Sequence, residues 1–222
     1  MKKRKYRLDE KVFDNITEDS AYWIGYLYGD GNCTMENKVR LAVSYEDRDI
    51  LYQFRDFIKS NDRPVKDFIL KDKQYSKLEL RSWRIHNKII PYGLTTRKDS
   101  RGRLPVDLLQ YEKGKAFVRG LFDADGCFYY DGLHKNNLFA EITGYMPVLK
   151  DVKQLLVSAG VIGTNKKIVK NGCIFRIRMA KKDTIKFIEY LYGDNPKYYL
   201  RRKYGIAKSY LERLNEKEQN AK

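Results

Sequence analysis

The sequence predicts an α+β fold built from two similar halves, each with the element order αββαββα. A nine-residue stretch, WIGYLYGDG at 23–31, returns in related form as VRGLFDADG at 118–126. After each copy the apolar spacing changes from a helical period to the alternation of strands, and the same order of periods follows. A polar, proline-bearing stretch at 95–107 separates the two halves. An internal duplication packed through the two motif helices is the simplest explanation.

The first half is predicted to begin with a helix that is capped by Thr17 and runs to Gly29. Threonine is a favoured N-cap, and Glu18 and Asp19 supply the acids that stabilise a first helical turn. The spacing of apolar residues then predicts a strand at 39–45 and a helix at 47–60. It further predicts a hairpin formed by 65–70 and 76–83, and a short helix at 84–90.

The second half repeats this order and closes with two helices. The predicted elements are 112–124, 127–130, 138–143, 147–159, 166–170, 173–179, 183–192 and 197–214. The chain is expected to begin with a basic and mobile N-terminal arm (1–14), followed by a first repeat (15–94) and a basic linker (95–110). A second repeat (111–214) and a frayed, charged tail (215–222) are expected to follow.

Composition points to a polyanionic partner. The formal charge is +16 and the isoelectric point is near 9.6, which favours nucleic acid, with a merely solvated basic surface as the alternative. No apolar run approaches the roughly 20 residues that span a bilayer, and none forms a signal-peptide core, so an intracellular, soluble protein without a membrane partner is expected. Three cysteines are expected to be buried or semi-buried thiols, and two histidines are too few for a histidine-rich metal site.

Small residues recur at helical spacing within each motif. An interior helical glycine costs about 1 kcal/mol relative to alanine, so something must offset that cost. Gly25 and Gly29 are four residues apart, as are Gly120 and Ala124, which gives each helix a stripe without bulky side chains. We expect the two stripes to meet, with the helix backbones close together.

Asp30 and Asp125 fall at the ends of these helices, where the macrodipole disfavours a negative charge by about 0.3–1 kcal/mol. Packing the helices together brings the two carboxylates near each other. A hard divalent cation would account for this pairing, because Mg²⁺ takes carboxylate and phosphate oxygens and promotes phosphodiester hydrolysis. A single Asp-Gly would be explained equally well as a turn. The similar YLYGDN at 190–195 lacks the stripe, because Glu189 stands four residues before its glycine, and is interpreted as a helix stop.

Both motifs resemble those of single-chain LAGLIDADG homing endonucleases, and the αββαββα order resembles that family's repeat over about residues 15–210. The first copy departs at its sixth position, where Tyr28 replaces the usual acid, but it keeps Asp30. The resemblance implies a monomer with a saddle of antiparallel strands over double-stranded DNA. It also implies intron homing and Mg²⁺-dependent cleavage of both strands across the minor groove, with Mn²⁺ or Ca²⁺ able to replace Mg²⁺ in binding.

The resemblance further implies the residues of the site. The metal is expected at Asp30 and Asp125 with the neighbouring Gly29 and Ala124. The strand after each motif is expected to offer a polar or acidic residue, which is Glu141 in the second half.

The aligned position in the first half is Ala42, so the resemblance implies an asymmetric site. A catalytic basic residue is expected late in each repeat, and Lys98 and Lys203 match that position.

DNA reading is expected from the strands, because arginine grips guanine edges and both arginine and lysine neutralise phosphate. The candidate contacts are Arg40, Arg81, Arg84, Lys166, Arg176 and Arg178. Alternation places Arg176 and Arg178 on one face, a pattern that a solvent-facing surface would share.

Three functions are compatible with these patterns. A site-specific DNA endonuclease is favoured, because both motif acids are present. A non-cleaving nucleic-acid binder on the same scaffold, such as an intron splicing cofactor (maturase) or a transcription factor, is the alternative. An intein is disfavoured, because the chain begins MKKRK and ends EQNAK, without the nucleophile and the His-Asn end that self-splicing needs.

Overall fold

The computed structural model describes residues 5–34, 36–94, 102–130, 132 and 137–220. This part of the chain forms two similar halves, and the predicted α+β class is confirmed. The first half contains α1 (Glu18–Asp30), β1 (Gly31–Cys33), β2 (Lys38–Ser44), α2 (Asp49–Phe57), β3 (Lys66–Leu70), β4 (Lys73–Arg81) and α3 (Trp83–Ile89). The second half contains α4 (Tyr111–Asp125), β5 (Gly126–Tyr130), β6 (Leu138–Gly144), α5 (Met146–Ser158), β7 (Val169–Asn171), β8 (Ile174–Met179), α6 (Lys182–Tyr192) and α7 (Arg201–Asn220).

Each half holds one four-stranded antiparallel sheet, and the two strand orders are equivalent. The orders are β1-β2-β4-β3 and β5-β6-β8-β7. Alternate residues of the central strands are buried against the helices; in β2 these are Val39, Leu41 and Val43. The remaining residues of each strand point to the opposite side, which we call the outer face of the sheet.

The two motif helices, α1 and α4, pack against each other backbone to backbone. A Cβ atom added at Gly25 would lie closer than 3.0 Å to the carbonyl oxygen of Phe117. One added at Gly120 would lie equally close to the carbonyl oxygen of Tyr22. Real Cβ atoms essentially never approach that closely, so glycine at both positions is a condition of the packing.

The start of α7 ties the second half to the first. Arg202 donates two hydrogen bonds to the Asp47 carboxylate, at 3.0 and 2.8 Å. Its neighbour Arg201 forms an ion pair with Asp49 at 3.2 Å. Asp47 is 8% exposed, so the first of these pairs is largely shielded from solvent.

The N-terminal arm and the tail differ from the predicted organisation. The expected mobile arm is packed from Arg7 onward: Ser60 Oγ donates to the Arg7 carbonyl, and Phe13 is buried. Helix α7 begins at Arg201, later than predicted, and continues through Asn220. The expected frayed tail is therefore helical through Asn220.

Part of the predicted linker is also packed. Leu104 and Leu108 are buried, and the Leu104 amide donates to the fully buried Asp151 at 2.7 Å. Arg103 supplies the charge that this buried carboxylate requires. The residues from 102 onward therefore belong to the second half.

Two strands were difficult to predict from the sequence. β1 has only three residues and was missed, because so short a strand offers no measurable alternation. The strand predicted at 166–170 is shortened to Val169–Asn171.

None of the described helices combines the length and the apolarity that crossing a bilayer requires. The three cysteines are free thiols, as predicted; Cys33 is buried, but Cys127 and Cys173 are exposed, contrary to the expected burial.

Replacing Gly25 or Gly120 by alanine should destabilise the protein by about 3 kcal/mol or more, because the methyl group forces two helix backbones apart. Gly205 is the matched control, since it lies within α7 and a Cβ there meets nothing within 4 Å. Gly205→Ala should stabilise the protein by about 0.5–1 kcal/mol. Urea denaturation measures all three variants, and equal stabilities for Gly25→Ala and Gly205→Ala would contradict the backbone contact.

Candidate functional site

The two motif acids occupy the last positions of α1 and α4, and each is followed by the glycine that starts the next strand. A Cβ at Gly29 would lie 2.5 Å from the Ala124 Cβ and 3.0 Å from the Asp125 Cγ and Oδ2. The Asp125 carboxylate therefore lies against Gly29 at the end of α1, the residue before Asp30. Neither helix has a basic residue in its last turn, so both acids face the negative end of a helix dipole.

Lys203 supports the end of α4 from inside the protein. Its Nζ donates to the carbonyl oxygens of Phe122, Asp123 and Gly126, at 2.6, 2.7 and 2.6 Å. The side chain is almost fully buried, and burial lowers its pKa. In this position Lys203 supports the backbone beside Asp125, and its expected catalytic role stays a prediction. Lys98 lies outside the described residues.

Asp123, the sixth residue of the second motif, is a buried hydrogen-bond centre that the sequence analysis missed. Its carboxylate accepts from the Tyr22 hydroxyl at 2.9 Å, the Tyr192 hydroxyl at 2.8 Å and the Leu200 amide at 2.9 Å. Burial raises its pKa to about 6. These partners come from α1, from the end of α6 and from the segment before α7, so one carboxylate links three elements.

Two sequence features concern this hydrogen-bond centre at Asp123: the residue at the equivalent position of the first motif, and the segment that supplies Tyr192. The first motif has Tyr28 where the second has Asp123, so the first half has no equivalent carboxylate. Tyr192 belongs to the motif-like YLYGDN, whose helix ends there as predicted.

Strand pairing corrects the alignment of Ala42 with Glu141. The glycine after each motif marks the register, and these pairs are Gly31 with Leu41 and Gly126 with Ile142. Glu141 stands one residue before its marker, so its counterpart is Arg40. The counterpart of Ala42 is Thr143. The alignment was two residues wrong because the connection after β5 is longer than the one after β1.

Charges at these equivalent positions are opposite. In the second half the largely buried Glu141 accepts a hydrogen bond from Arg176 at 3.3 Å. In the first half Arg40 Nε donates to Glu79 at 2.5 Å. The outer faces thus present a carboxylate beside one motif and a guanidinium beside the other.

The outer face of the second sheet reaches the motif acid directly. Thr143 Oγ1 donates to the Asp125 carbonyl oxygen at 2.9 Å. Thr143 lies on the same face as Glu141, two residues along β6. The acid and this sheet face therefore form one continuous surface.

The six predicted DNA contacts fall into two groups. Arg40, Arg81, Arg176 and Arg178 lie on outer faces, whereas Arg84 is on α3 and Lys166 precedes β7, so neither of the last two is a strand residue. Arg81, Arg84 and Lys166 form ion pairs with Glu36, Asp14 and Asp183, respectively. The Arg178 guanidinium lies 4.2 Å from the Phe139 ring centroid and 5.5 Å from that of Tyr129.

The outer face of the first sheet is strongly cationic. Among the residues of β2, β3 and β4 that share this face, Glu79 is the only acid. The cations are Lys38, Arg40, Lys66, Lys73, Lys77 and Arg81. Such a face attracts a polyanion.

Potential metal ligands are not grouped in the described part of the chain. It contains no cluster of three or more histidine, cysteine, aspartate or glutamate side chains arranged around a cation. The two motif carboxylates still fit Mg²⁺, which proteins commonly bind through one or two carboxylates while substrate phosphates and water complete the shell.

Asp123→Asn should remove a pH dependence of stability. The folded pKa of about 6 exceeds the ordinary value of about 3.9, so Asp123 stabilises the fold fully below about pH 4 and loses that contribution as pH rises through about 6. The shift of about two units corresponds to about 3 kcal/mol. Urea denaturation between these pH values should show the wild-type free energy of unfolding falling by that amount relative to the variant. Parallel pH profiles would contradict the burial of this charge.

Comparison with known proteins identifies the fold. Residues 112–192 match the family model described as a LAGLIDADG-like domain. The replication factor C small subunit of Methanocaldococcus jannaschii is 26% identical over 160 residues, which cover 71% of this chain but only 8% of that protein.

Solved structures extend the similarity to both halves. Full-length DUF199/WhiA from Thermatoga maritima has a TM-score of 0.53 and 16% identity, covering 96% of this chain and 71% of that one. The LAGLIDADG meganuclease I-CpaMI bound to uncleaved DNA has a TM-score of 0.57 and 13% identity, covering 91% and 93%. I-DmoI in complex with DNA and Mn has a TM-score of 0.51 and 19% identity, covering 80% and 97%. The chain has the LAGLIDADG fold and its second half carries a LAGLIDADG-like domain, which confirms the resemblance predicted from the motifs.

Proposed function

We propose that this protein is a site-specific, double-stranded DNA endonuclease of the homing type, acting as a monomer. It hydrolyses one phosphodiester on each strand across the minor groove. The main support is the position of Asp30 and Asp125, whose helix ends adjoin each other beside a cationic sheet face. Acids at the negative ends of two helices destabilise a protein that has no use for them. A phosphodiesterase needs such a pair next to its polyanionic substrate.

The proposed roles of the residues follow from their positions. Asp30 and Asp125, with the carbonyl groups of Gly29 and Ala124, would hold the divalent metal. Bound Mg²⁺ supplies Lewis acidity to a phosphate oxygen and an activated water, and Mn²⁺ or Ca²⁺ replaces it in binding. Lys203 fixes the end of α4 that carries Asp125. The basic outer faces neutralise phosphates on either side of the cut.

A non-cleaving DNA-binding protein, such as a maturase or a transcription factor, is the second candidate. The similarity to DUF199/WhiA shows that the fold is not confined to proteins named as endonucleases. Incubation with a randomised duplex library and Mg²⁺, followed by sequencing of cut ends, separates the two candidates and identifies the target.

Asp30→Asn and Asp125→Asn should each abolish double-strand cleavage and leave DNA affinity within a few-fold of wild type, because the acids hold metal rather than position the duplex. Asp194→Asn is the matched control, since Asp194 is the acid of the motif-like YLYGDN and forms an ion pair with Lys115. The control should cleave normally. Cleavage of the selected target by either motif variant at the wild-type rate would refute the assignment.

The opposite charges at Arg40 and Glu141 should make the two strands cut at different rates. A carboxylate beside one scissile phosphate and a guanidinium beside the other change local electrostatics and the placement of water. A supercoiled target should pass through a nicked intermediate.

Strand-resolved kinetics on an end-labelled duplex test this asymmetry. Glu141→Ala should slow one strand about tenfold or more relative to the other. Arg40→Ala, which alters the equivalent position of the other half, should change the opposite strand. Equal effects on both strands would mean that Glu141 is only a sheet residue.

A further inference from the structure

A small cationic cavity lies at one border of the first sheet's outer face, and we call it the Tyr6 pocket. It encloses about 120 Å³ and is lined by Tyr6, Arg63, Pro64, Lys66, Lys77 and Glu79. This volume admits several water molecules, and therefore a tetrahedral oxyanion with part of its hydration shell.

The walls of the Tyr6 pocket are held in place by the surrounding fold. Arg63 donates from Nε to Ser60 Oγ at 3.0 Å and from Nη1 to the Glu79 carbonyl oxygen at 3.1 Å. Its guanidinium carbon lies 5.2 Å from the Tyr6 ring centroid. The N-terminal segment thus closes one side of the pocket, fastened by the hydrogen bond from Ser60 to the Arg7 carbonyl.

Positive charge in the pocket exceeds the available negative charge. Lys66 and Lys77 are direct partners in the β3–β4 register, and like charges directly opposite each other destabilise a sheet. In the described part of the chain Lys66 forms no ion pair, while Lys77 Nζ is 4.0 Å from Glu79 Oε2. The other oxygen of Glu79 accepts from Arg40. The Glu79 carboxylate is therefore shared by Arg40 and Lys77, and an anion entering the pocket would relieve the repulsion between Lys66 and Lys77.

The described residues of the second half do not repeat this pair of lysines. The pair equivalent to Lys66 and Lys77 is Val169 and Arg176, and Val169 is 48% exposed. Since a lysine in one half is an exposed valine in the other, the charge does not follow from the architecture of the sheet. It is a property of the first half.

We propose that the Tyr6 pocket binds one backbone phosphate of double-stranded DNA, and that it anchors the duplex on the first half only. This inference rests on the proposed DNA-binding function but not on cleavage. Glu79 joins the pocket to Arg40, which stands beside the end of the first motif, so the phosphate and the motif acids are served by the same face. The ligand is the phosphate group rather than a base edge, because Arg63 Nε and Nη1 already donate within the protein and the two lysines offer point charges without paired acceptors.

The slope of log affinity against log salt concentration tests the pocket, because each neutralised phosphate contributes about −0.9. The probe is a fluorescein-labelled, mixed-sequence duplex, and binding to the full chain is followed by anisotropy in increasing NaCl. Lys66→Ala should reduce the magnitude of the slope by about 0.9, and Lys66→Arg should restore it. Lys66 is exposed, so the alanine variant should unfold at the same or a higher urea concentration than wild type.

Lys150→Ala is the control for a change in net charge, because this exposed lysine lies on α5, which packs on the opposite side of its sheet. It should leave the slope unchanged. Equal slopes for wild type and Lys66→Ala, or equal losses for Lys66→Ala and Lys150→Ala, would overturn the pocket. A reduced slope in a protein that never cleaves DNA would support the pocket and refute only the endonuclease.

Discussion

The rest of this structure depends on the contact between the backbones of α1 and α4. No side chain separates the helices at Gly25 and Gly120, and the two helix backbones approach as closely as peptide groups allow. The contact fixes the distance between the halves and brings Asp125 against the end of α1. Two interior glycines each cost about 1 kcal/mol of helix stability, and the close packing offsets that cost. The absence of side chains at Gly25 and Gly120 thus determines where Asp30 and Asp125 lie.

A polar network stabilises this apolar contact from within. Asp123 and Lys203 are both buried near the end of α4, and each is satisfied by several partners. Buried charges are tolerated only when their hydrogen bonds are complete, so the elements that supply the partners must keep their positions. The first half has no carboxylate at the position of Asp123, because Tyr28 stands there. The pseudo-symmetry of the backbone therefore does not extend to the polar interior.

Local patterns in the sequence were sufficient to predict the duplication, the motif helices and their small-residue stripes. These features are repeated at fixed spacing, and helical periodicity makes their faces readable without tertiary information. The hydrogen bonds of Lys203 could not be predicted in this way, because they depend on the packing of α7 against α4, which no local pattern encodes. Glu141 was assigned the wrong counterpart because register depends on the length of a strand connection. The counterpart of Glu141 is Arg40, and this could be identified only from the strand pairing in the structure.

The ion pairs at the start of α7 also determine when the protein can be completed during synthesis. Asp47 receives its hydrogen bonds from Arg202, 155 positions later in the chain. Chains generally begin to fold from the N-terminal end as they emerge from the ribosome, and contacts of such long sequence separation form late. During synthesis, Asp47 therefore has no Arg202 partner until nearly the whole chain has been translated. A chain that stops before α7 would leave Asp47 without Arg202 and would lack Lys203, which holds the end of α4.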